Sequence, residues 1–547
     1  AQGQARLSPG ALAGTDCVQP GLCLLGRASG FVRKAAFLRW ESMLPQLKVW
    51  LSKTGRAFYG SYFDVETAYS YPFLEGPYVT GDSLTIACSL AGLSRETGLF
   101  LIKSNSINSL LRTRGLRVGE MYEDFASDTL KIFKGIHTLK EQLQVTVEKV
   151  NPKGVGWLDY LTVNARRELN FTGSPLLFRD SRGIGTITRF QITIPAGTQP
   201  VLWDVTNRHA VSIQTYSILS PNSIQFQVFQ DSLKEFVIFL PNALNSVGFV
   251  KRLKNQNLHG LQQADYIIVY HPIFQNEAKT LGDLHVSKEG LSYAMASTED
   301  VYHEFSSGNT DPSAIRDFIR MLYWRGIASG RPSRYVVLMG DGSYNNKSKN
   351  ILNNSALIPT YQSLNSLSQT QSIATDDFYG LMDDTEGYNA ENNGLGKMDL
   401  GIGRLTCRTQ PEMAQVIQKI IRHYDVPEPI NLQNAQSCYS ASETKRGEWR
   451  NWLLFLGDDE DNALHMNQAN QLAENLRLKH PEFNFDKIFL DAYQRISTPG
   501  GGRYPDASSD FVNRIKKGTL IFNYTGHGGE VGLTAERMVD NDIIDNL

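Results

Sequence analysis

The pattern of apolar residues changes near Gly260, and this change limits the folds that the chain can adopt. Before it, runs such as residues 186–194 and 223–229 alternate apolar and polar side chains, which is typical of half-exposed antiparallel strands. After it, short continuous apolar runs alternate with amphipathic helical patterns, which favours a parallel sheet buried on both faces. The sequence therefore predicts an α+β multidomain protein, with a β-rich N-terminal region followed by a doubly wound α/β domain.

The continuous apolar runs locate the strands of the predicted parallel sheet. The predicted strands are residues 266–270, 335–339, 453–456 and 520–522. The predicted helices are residues 311–323, 413–423, 465–478 and 508–517. Asp311 is the expected N-cap of the first helix, because Pro312 suits the first helical position. In the N-terminal region, residues 168–171 are also expected to form a strand.

With 547 residues, the chain is too long for a single hydrophobic core, and several domains are expected. Residues 1–255 are predicted to form one or two β-sandwich-like domains. Residues 256–428 and 429–547 are predicted to form two α/β subdomains, joined by the proline-containing segment 425–430.

The overall charge argues against some classes of partner. A formal net charge of −2 disfavours binding to nucleic acid or to anionic membranes, since both need a basic surface. No run approaches 18 consecutive apolar residues, so no spanning helix is predicted. The N-terminal residues, Ala1 to Gln4, are compatible with a chain from which a signal peptide has been removed.

The chain has five cysteines: Cys17, Cys23, Cys88, Cys407 and Cys438. A local disulfide between Cys17 and Cys23 is one expectation, and free thiols are the alternative. None of the cysteines has CxxC spacing, which disfavours a zinc site.

One histidine follows the last apolar run of the chain. His527 lies between Gly526 and Gly528, and glycines permit a tight backbone or the close approach of a substrate. The run at 520–522 is expected to be a buried strand, which would place His527 at the carboxyl edge of a parallel sheet, where sites commonly form. The alternative is a turn histidine with no chemical role.

Three loops of the α/β part are rich in acids. They contain Asp376 and Asp377, Asp383 and Asp384, and the four residues 458–461. Carboxylate oxygens are calcium ligands, so structural calcium is one expectation, although no EF-hand spacing is present. Solvated loops are the alternative.

The order of four motifs carries a family resemblance. The motifs are DVYHEFS at 300–306, LMGDGSY at 338–344, TDDFYG at 375–380 and NYTGHG at 523–528. Residues from about 264 to 547 resemble the gingipain-like cysteine peptidases, and the histidine motif is the most specific of the four. The resemblance implies a caspase-like fold and a Cys–His mechanism.

The resemblance also assigns roles to individual residues. It implies that His527 is the general base and that the backbone N–H of Gly528 contributes to an oxyanion hole. It further implies that an acid orients the imidazole, with Asp458 as the first candidate and Asp461 as the second. No cofactor is implied for the chemistry.

The nucleophile of this family is a cysteine that follows the histidine by roughly thirty residues. None of the five cysteines follows His527. The sequence therefore predicts that the nucleophile lies beyond Leu547, that the second α/β subdomain is incomplete, and that residues 1–547 alone are inactive.

Within the family, the resemblance is to the surface sortase of the bacterial type IX secretion system. It implies that the protein removes C-terminal sorting signals from secreted proteins. It also implies that the protein helps to attach the trimmed proteins to lipopolysaccharide on the outer surface of the cell. An outer-membrane β-barrel protein is the expected tether. One alternative is an inactive caspase-like scaffold that docks partners on a secretion machine. A serine hydrolase is disfavoured because no GxSxG motif precedes His527.

Overall fold

In the computed structural model, the chain divides into two compact units, Ala1–Gln415 and Val416–Leu547. The structure gives the backbone of the strands Cys23–Leu24 and Gly30–Ala35. Beyond these it describes residues 51, 55–73, 76–120, 123–243, 248–249, 252–343, 345–346, 356–368, 370–384, 386, 396–424, 447–529 and 532–547. Cys17, Cys438 and the predicted joint at 425–430 lie outside these residues.

The N-terminal part of the first unit consists of four antiparallel sheets. One hydrophobic core cluster contains residues from all four sheets, such as Leu84, Phe100, Phe178 and Phe190. The first sheet contains Cys23–Leu24, Gly30–Ala35, Tyr62–Phe63, Ser83–Leu93, Ser127–Ile136 and Val155–Arg167. The second contains Ala68–Phe73, Gly98–Ser104, Ile107–Thr113 and Leu143–Lys149. The third sheet contains Leu176–Arg179, Val201–Asp204, Ser212–Ile213 and Glu235–Phe239. The fourth contains Ile187–Thr193, Ser217–Ser220 and Ser223–Phe229.

The strand predicted at residues 168–171 is not formed. Leu169 and Phe171 are buried, as their alternation with polar residues indicates. The backbone, however, makes only an isolated bridge between Asn170 and Thr193. Alternating burial here reflects side-chain packing into the core and not membership of a sheet.

A parallel sheet completes the first unit. Its strands are β1 (Tyr266–Tyr270), β2 (Tyr293–Ser297), β3 (Tyr335–Met339) and β4 (Gly401–Leu405), in the order β2-β1-β3-β4. The helices are α1 (Gln275–Glu289), α2 (Thr298–Phe305), α3 (Pro312–Ala328) and α4 (Gln410–Tyr424), the last of which crosses the boundary between the units. The predicted cap of α3 is present, since Asp311 accepts a hydrogen bond from the N–H of Ser313 at 2.8 Å.

The second unit contains another parallel sheet. Its strands are β5 (Trp452–Gly457), β6 (Asn484–Phe489) and β7 (Ile521–Thr525), in the order β6-β5-β7. Its helices are α5 (Glu460–Lys479), α6 (Pro505–Lys517) and α7 (Asn541–Asp545). The first unit also has a short antiparallel pair, formed by Tyr361–Gln362 and Ala374–Thr375. The second unit has a similar pair, formed by Ile496–Thr498 and Gly501–Arg503. It also has a short three-stranded antiparallel sheet, formed by Gly528–Gly529, Gly532–Leu533 and Val539–Asp540.

The run at 520–522 is more exposed than predicted. Ile521 is 55% exposed, whereas Leu454 in β5 is fully buried. In the described part of the chain, β7 is an edge strand that pairs only with β5. An apolar run alone does not distinguish a central strand from an edge strand. No helix of the described residues has the length and apolar content needed to cross a membrane.

Candidate active site

The carboxyl edge of the second sheet brings two loops together. Gly457, the last residue of β5, lies opposite Thr525, the last residue of β7. The residues that follow are Asp458 and Gly526, and a Cβ atom added to Gly526 would lie 2.4 Å from the Cβ of Asp458. Only glycine allows this approach at position 526, and the next residue of the same loop is His527.

The imidazole of His527 contacts an acid and a second histidine. Its Nε2 lies 2.8 Å from the Oδ2 of Asp461 and 3.4 Å from the Nε2 of His465. The Asp461 carboxylate raises the pKa of His527, and the bond to His527 is the main cause of a lowered pKa at Asp461. The Nδ1 of His527 has no hydrogen bond within the described residues, so this nitrogen remains available for proton transfer.

Asp461 reaches the ring from an irregular first turn of α5. Asp461, Asn462 and Ala463 have φ values of 55°, 55° and 63°, in the left-handed region that non-glycine residues seldom occupy. Residues held in such conformations cost of order 1–3 kcal/mol each and often cluster at functional sites. The strained turn places the Asp461 carboxylate against both histidines.

Asp458 has a different contact from the one that the sequence predicted for its side chain. It is fully buried, and its Oδ2 accepts a hydrogen bond from the backbone N–H of His527 at 3.0 Å. Its Oδ1 has no hydrogen-bond partner among the described residues. Of the two predicted acids, Asp461 therefore contacts the ring, and Asp458 fixes the loop that carries it.

The loop after His527 is held by Tyr524. The Tyr524 hydroxyl donates to the backbone carbonyl of His527 and accepts from the N–H of Thr534. Gly528 then begins a short hairpin, and a Cβ at this position would meet only Leu533 Cδ2 at 3.9 Å. Neither Gly526 nor Gly528 has a positive φ, so close approach and not a left-handed backbone explains the glycine at 526.

A group of three carboxylates, two buried and one half-buried, lies behind this loop. Asp458, Asp459 and Glu536 each offer an oxygen within 4.8 Å of the others. Asp459 accepts from the Tyr504 hydroxyl at 2.6 Å, and Glu536 pairs with Arg495 at 2.8 Å. One oxygen of each of the three carboxylates still has no hydrogen-bond partner among the described residues. Three carboxylate oxygens without hydrogen-bond partners suit a hard cation such as Ca²⁺.

The other two acid-rich loops already have basic partners. Arg404 binds both oxygens of Asp376 at 2.7 Å, and Arg320 pairs with Asp384. These carboxylates are neutralised within the chain and do not need a cation. Of the three loops where the sequence predicted calcium, only the one at 458–461 has carboxylate oxygens that are buried and without a hydrogen-bond partner among the described residues.

Sequence reasoning missed two residues of the site. His465 follows Asp461 by four positions, and this spacing on a helix could have indicated a pair. Glu536 comes from a loop 78 positions after Asp458 in the numbering, and no local pattern indicates that the two meet.

Comparisons with known proteins are consistent with this fold. Residues 259–547 match peptidase family C25. The crystal structure of dimeric latent PorU from Porphyromonas gingivalis is similar, with a TM-score of 0.62 and 21% identity, over 81% of this chain. The match covers 43% of that chain. A structure described only as a protease has a TM-score of 0.32 and 14% identity, over 52% of this chain and 49% of its own. No curated protein sequence matches significantly.

These matches confirm the predicted resemblance to the gingipain-like peptidases and the predicted fold class, a β-rich N-terminal region followed by a family-type α/β domain. The role of each site residue stays a prediction.

Proposed function

Because this chain belongs to peptidase family C25, we propose that it acts as a PorU-like cysteine peptidase in which His527 is the general base. The observation that supports this most directly is the arrangement of the His527 ring. Asp461 engages Nε2 at 2.8 Å, while Nδ1 remains open for the proton of a thiol. An acid on one nitrogen fixes the tautomer and orientation of an imidazole whose other nitrogen does the chemistry.

In the proposed reaction, Nδ1 accepts the proton of a cysteine thiol, and the thiolate attacks a peptide carbonyl. The backbone N–H of Gly528 would stabilise the oxyanion, and the imidazolium would then return the proton to the leaving amine. Water or an amine would resolve the thioester. The chemistry needs no cofactor.

The nucleophile is proposed to be a cysteine that follows Leu547. Cys88 and Cys407 are buried free thiols of the first unit, and burial is the main cause of a raised pKa at both. A raised thiol pKa disfavours the reactive thiolate, so neither is a suitable nucleophile.

For the wider role, we propose the type IX sortase activity that the family resemblance implies. The substrates would be secreted proteins with C-terminal sorting signals, and surface lipopolysaccharide would be the acceptor. The protein would act on the outer face of the cell, tethered by an outer-membrane β-barrel protein.

The test is turnover of a sorting-signal substrate by a chain that continues through the predicted cysteine. His527→Ala should lower kcat/KM by about 10³-fold, within the range for loss of a general base. His480→Ala is the matched control, because His480 also pairs with a carboxylate, Glu482, but on the exposed surface of the same unit. It should retain full activity.

Mass spectrometry of the products, with and without an added amine, distinguishes hydrolysis from transfer. Residues 1–547 alone should give no product. Cleavage by this stretch that disappears in His527→Ala would overturn the placement of the nucleophile. No turnover by the extended chain would instead favour the scaffold alternative.

A further inference from the structure

Three metal-binding side chains converge at the edge of the second sheet. The Oδ2 of Asp461 lies 2.8 Å from Nε2 of His527 and 3.2 Å from Nε2 of His465. The two Nε2 atoms are 3.4 Å apart, and the two rings are nearly perpendicular, at 87°. Each of the three side chains therefore directs one donor atom to the same small region.

These distances match the ligand shell of a tetrahedral transition-metal ion. Zinc bonds of about 2.0–2.1 Å to histidine nitrogen and carboxylate oxygen place neighbouring ligand atoms roughly 3.3 Å apart. The three observed separations lie on either side of this value. We propose that Asp461, His465 and His527 bind one ion of the Zn²⁺ class, with a fourth position open to water.

The surroundings of the three residues favour a cation. Asp461 and His527 are 48% and 39% exposed at the side chain, so an ion can reach them from solvent. Asp458, Asp459 and Glu536 lie in the loops beside them, and their negative charge attracts cations towards this edge. The cysteine spacing that disfavoured zinc does not apply, because this ligand set contains no cysteine.

The donor types select the class of metal. Two imidazole nitrogens and one carboxylate suit zinc and its transition-metal neighbours, whereas calcium and magnesium prefer shells of oxygen. The three-oxygen cluster of Asp458, Asp459 and Glu536 is therefore a separate set with a different preference.

Metal binding would switch off the proposed base. An imidazole that coordinates through Nε2 carries its remaining proton on Nδ1, and Nδ1 then has no lone pair to accept the proton of the thiol. The ion would leave the peptide bond uncut until it dissociates. This inhibition rests on the proposed function, whereas the metal site itself does not.

Binding is tested on residues 1–547 with the metal alone. Calorimetric titration with Zn²⁺ should show one ion per chain, and Co²⁺ should give the visible absorption of a tetrahedral site without a sulfur charge-transfer band. His465→Ala should weaken binding by more than about 100-fold, the upper end for losing a group that merely supports a ligand.

His480→Ala is the control and should bind as the parent chain does, because its pair with Glu482 is a comparable surface contact outside the site. Circular dichroism verifies that each variant is folded. Equal affinity in His465→Ala, a thiolate band, or no binding would each overturn the metal site.

Inhibition is tested on the extended chain by comparing turnover with Zn²⁺ and with a chelator. Turnover with the chelator should exceed turnover with Zn²⁺ by a large factor in the parent chain, and the two should be nearly equal in His465→Ala. If zinc binds through the three residues but leaves turnover unchanged, the regulatory role is overturned and the site stands. If the extended chain binds zinc but never cleaves the substrate, even with the chelator, the result contradicts the proposed function and not the metal site.

Discussion

The acidic residues at the carboxyl edges of the two parallel sheets differ in their basic partners. At the first sheet, Arg404 of β4 binds both oxygens of Asp376, and Arg408 pairs with Asp341 at 2.8 Å. At the second sheet, two histidines and a single arginine are the described basic partners of the acids at 458–461 and of Glu536.

This difference separates acids that hold loops together from acids that are available for proton exchange or cation binding. An arginine is always charged and satisfies a carboxylate permanently, so the first edge is a stable junction of loops. A histidine exchanges its proton near neutral pH, and an unpartnered carboxylate can take a cation. The second edge therefore has the groups that chemistry and metal binding need.

The largest expected effect is at the first edge. Arg404 is 7% exposed, and it also donates to the carbonyls of Gly340 and Ile358 at 2.9 Å. Arg404→Met should lower the free energy of unfolding of the first unit by about 3–5 kcal/mol, because it leaves the Asp376 charge without its partner. Denaturant titration measures the loss, and hydrogen exchange at β4 assigns it to this unit. A loss below about 1 kcal/mol would contradict the structural role of this edge.

A smaller effect is expected from calcium at the second edge. The fully buried Asp458, with Asp459 and Glu536, has unpartnered oxygens that a divalent cation would satisfy. At about 100 times its Kd, calcium should raise the free energy of unfolding by about 2.7 kcal/mol.

Differential scanning calorimetry of residues 1–547 in calcium and in chelator measures this shift. Glu536→Gln should lose most of it, since one charged ligand is gone, while Arg408→Met at the other edge should keep it. An equal shift in Glu536→Gln would show that calcium binds elsewhere.

The smallest effect is expected from Arg408→Met. Arg408 is 65% exposed at the side chain, and solvent screens the attraction within an exposed ion pair. The loss in free energy of unfolding, measured as for Arg404→Met, should be a small fraction of the loss in Arg404→Met. An equal loss in free energy of unfolding in the two arginine variants would contradict the expectation that burial of the arginine determines the size of the effect.

Local patterns predicted some elements of the α/β part, whereas the strands β2 and β6 and the helices α1 and α2 were not predicted. The strands at 266–270 and 335–339 have the predicted bounds, and α3 begins at Pro312 after its Asp311 cap. These features depend on continuous apolar runs and on capping chemistry, which neighbouring residues determine. The burial of 520–522 was predicted wrongly, because burial depends on which strands lie beside it.

The sequence by itself determined that a single glycine-flanked histidine follows the last parallel strand, and that acids follow β5. Tertiary structure decided which acid meets the ring. Asp461 reaches His527 through a strained turn, Asp458 binds the backbone instead, and His465 joins from 62 positions away. Side chains from separate loops meet only when β5, β7 and α5 have packed, and no local pattern encodes those distances.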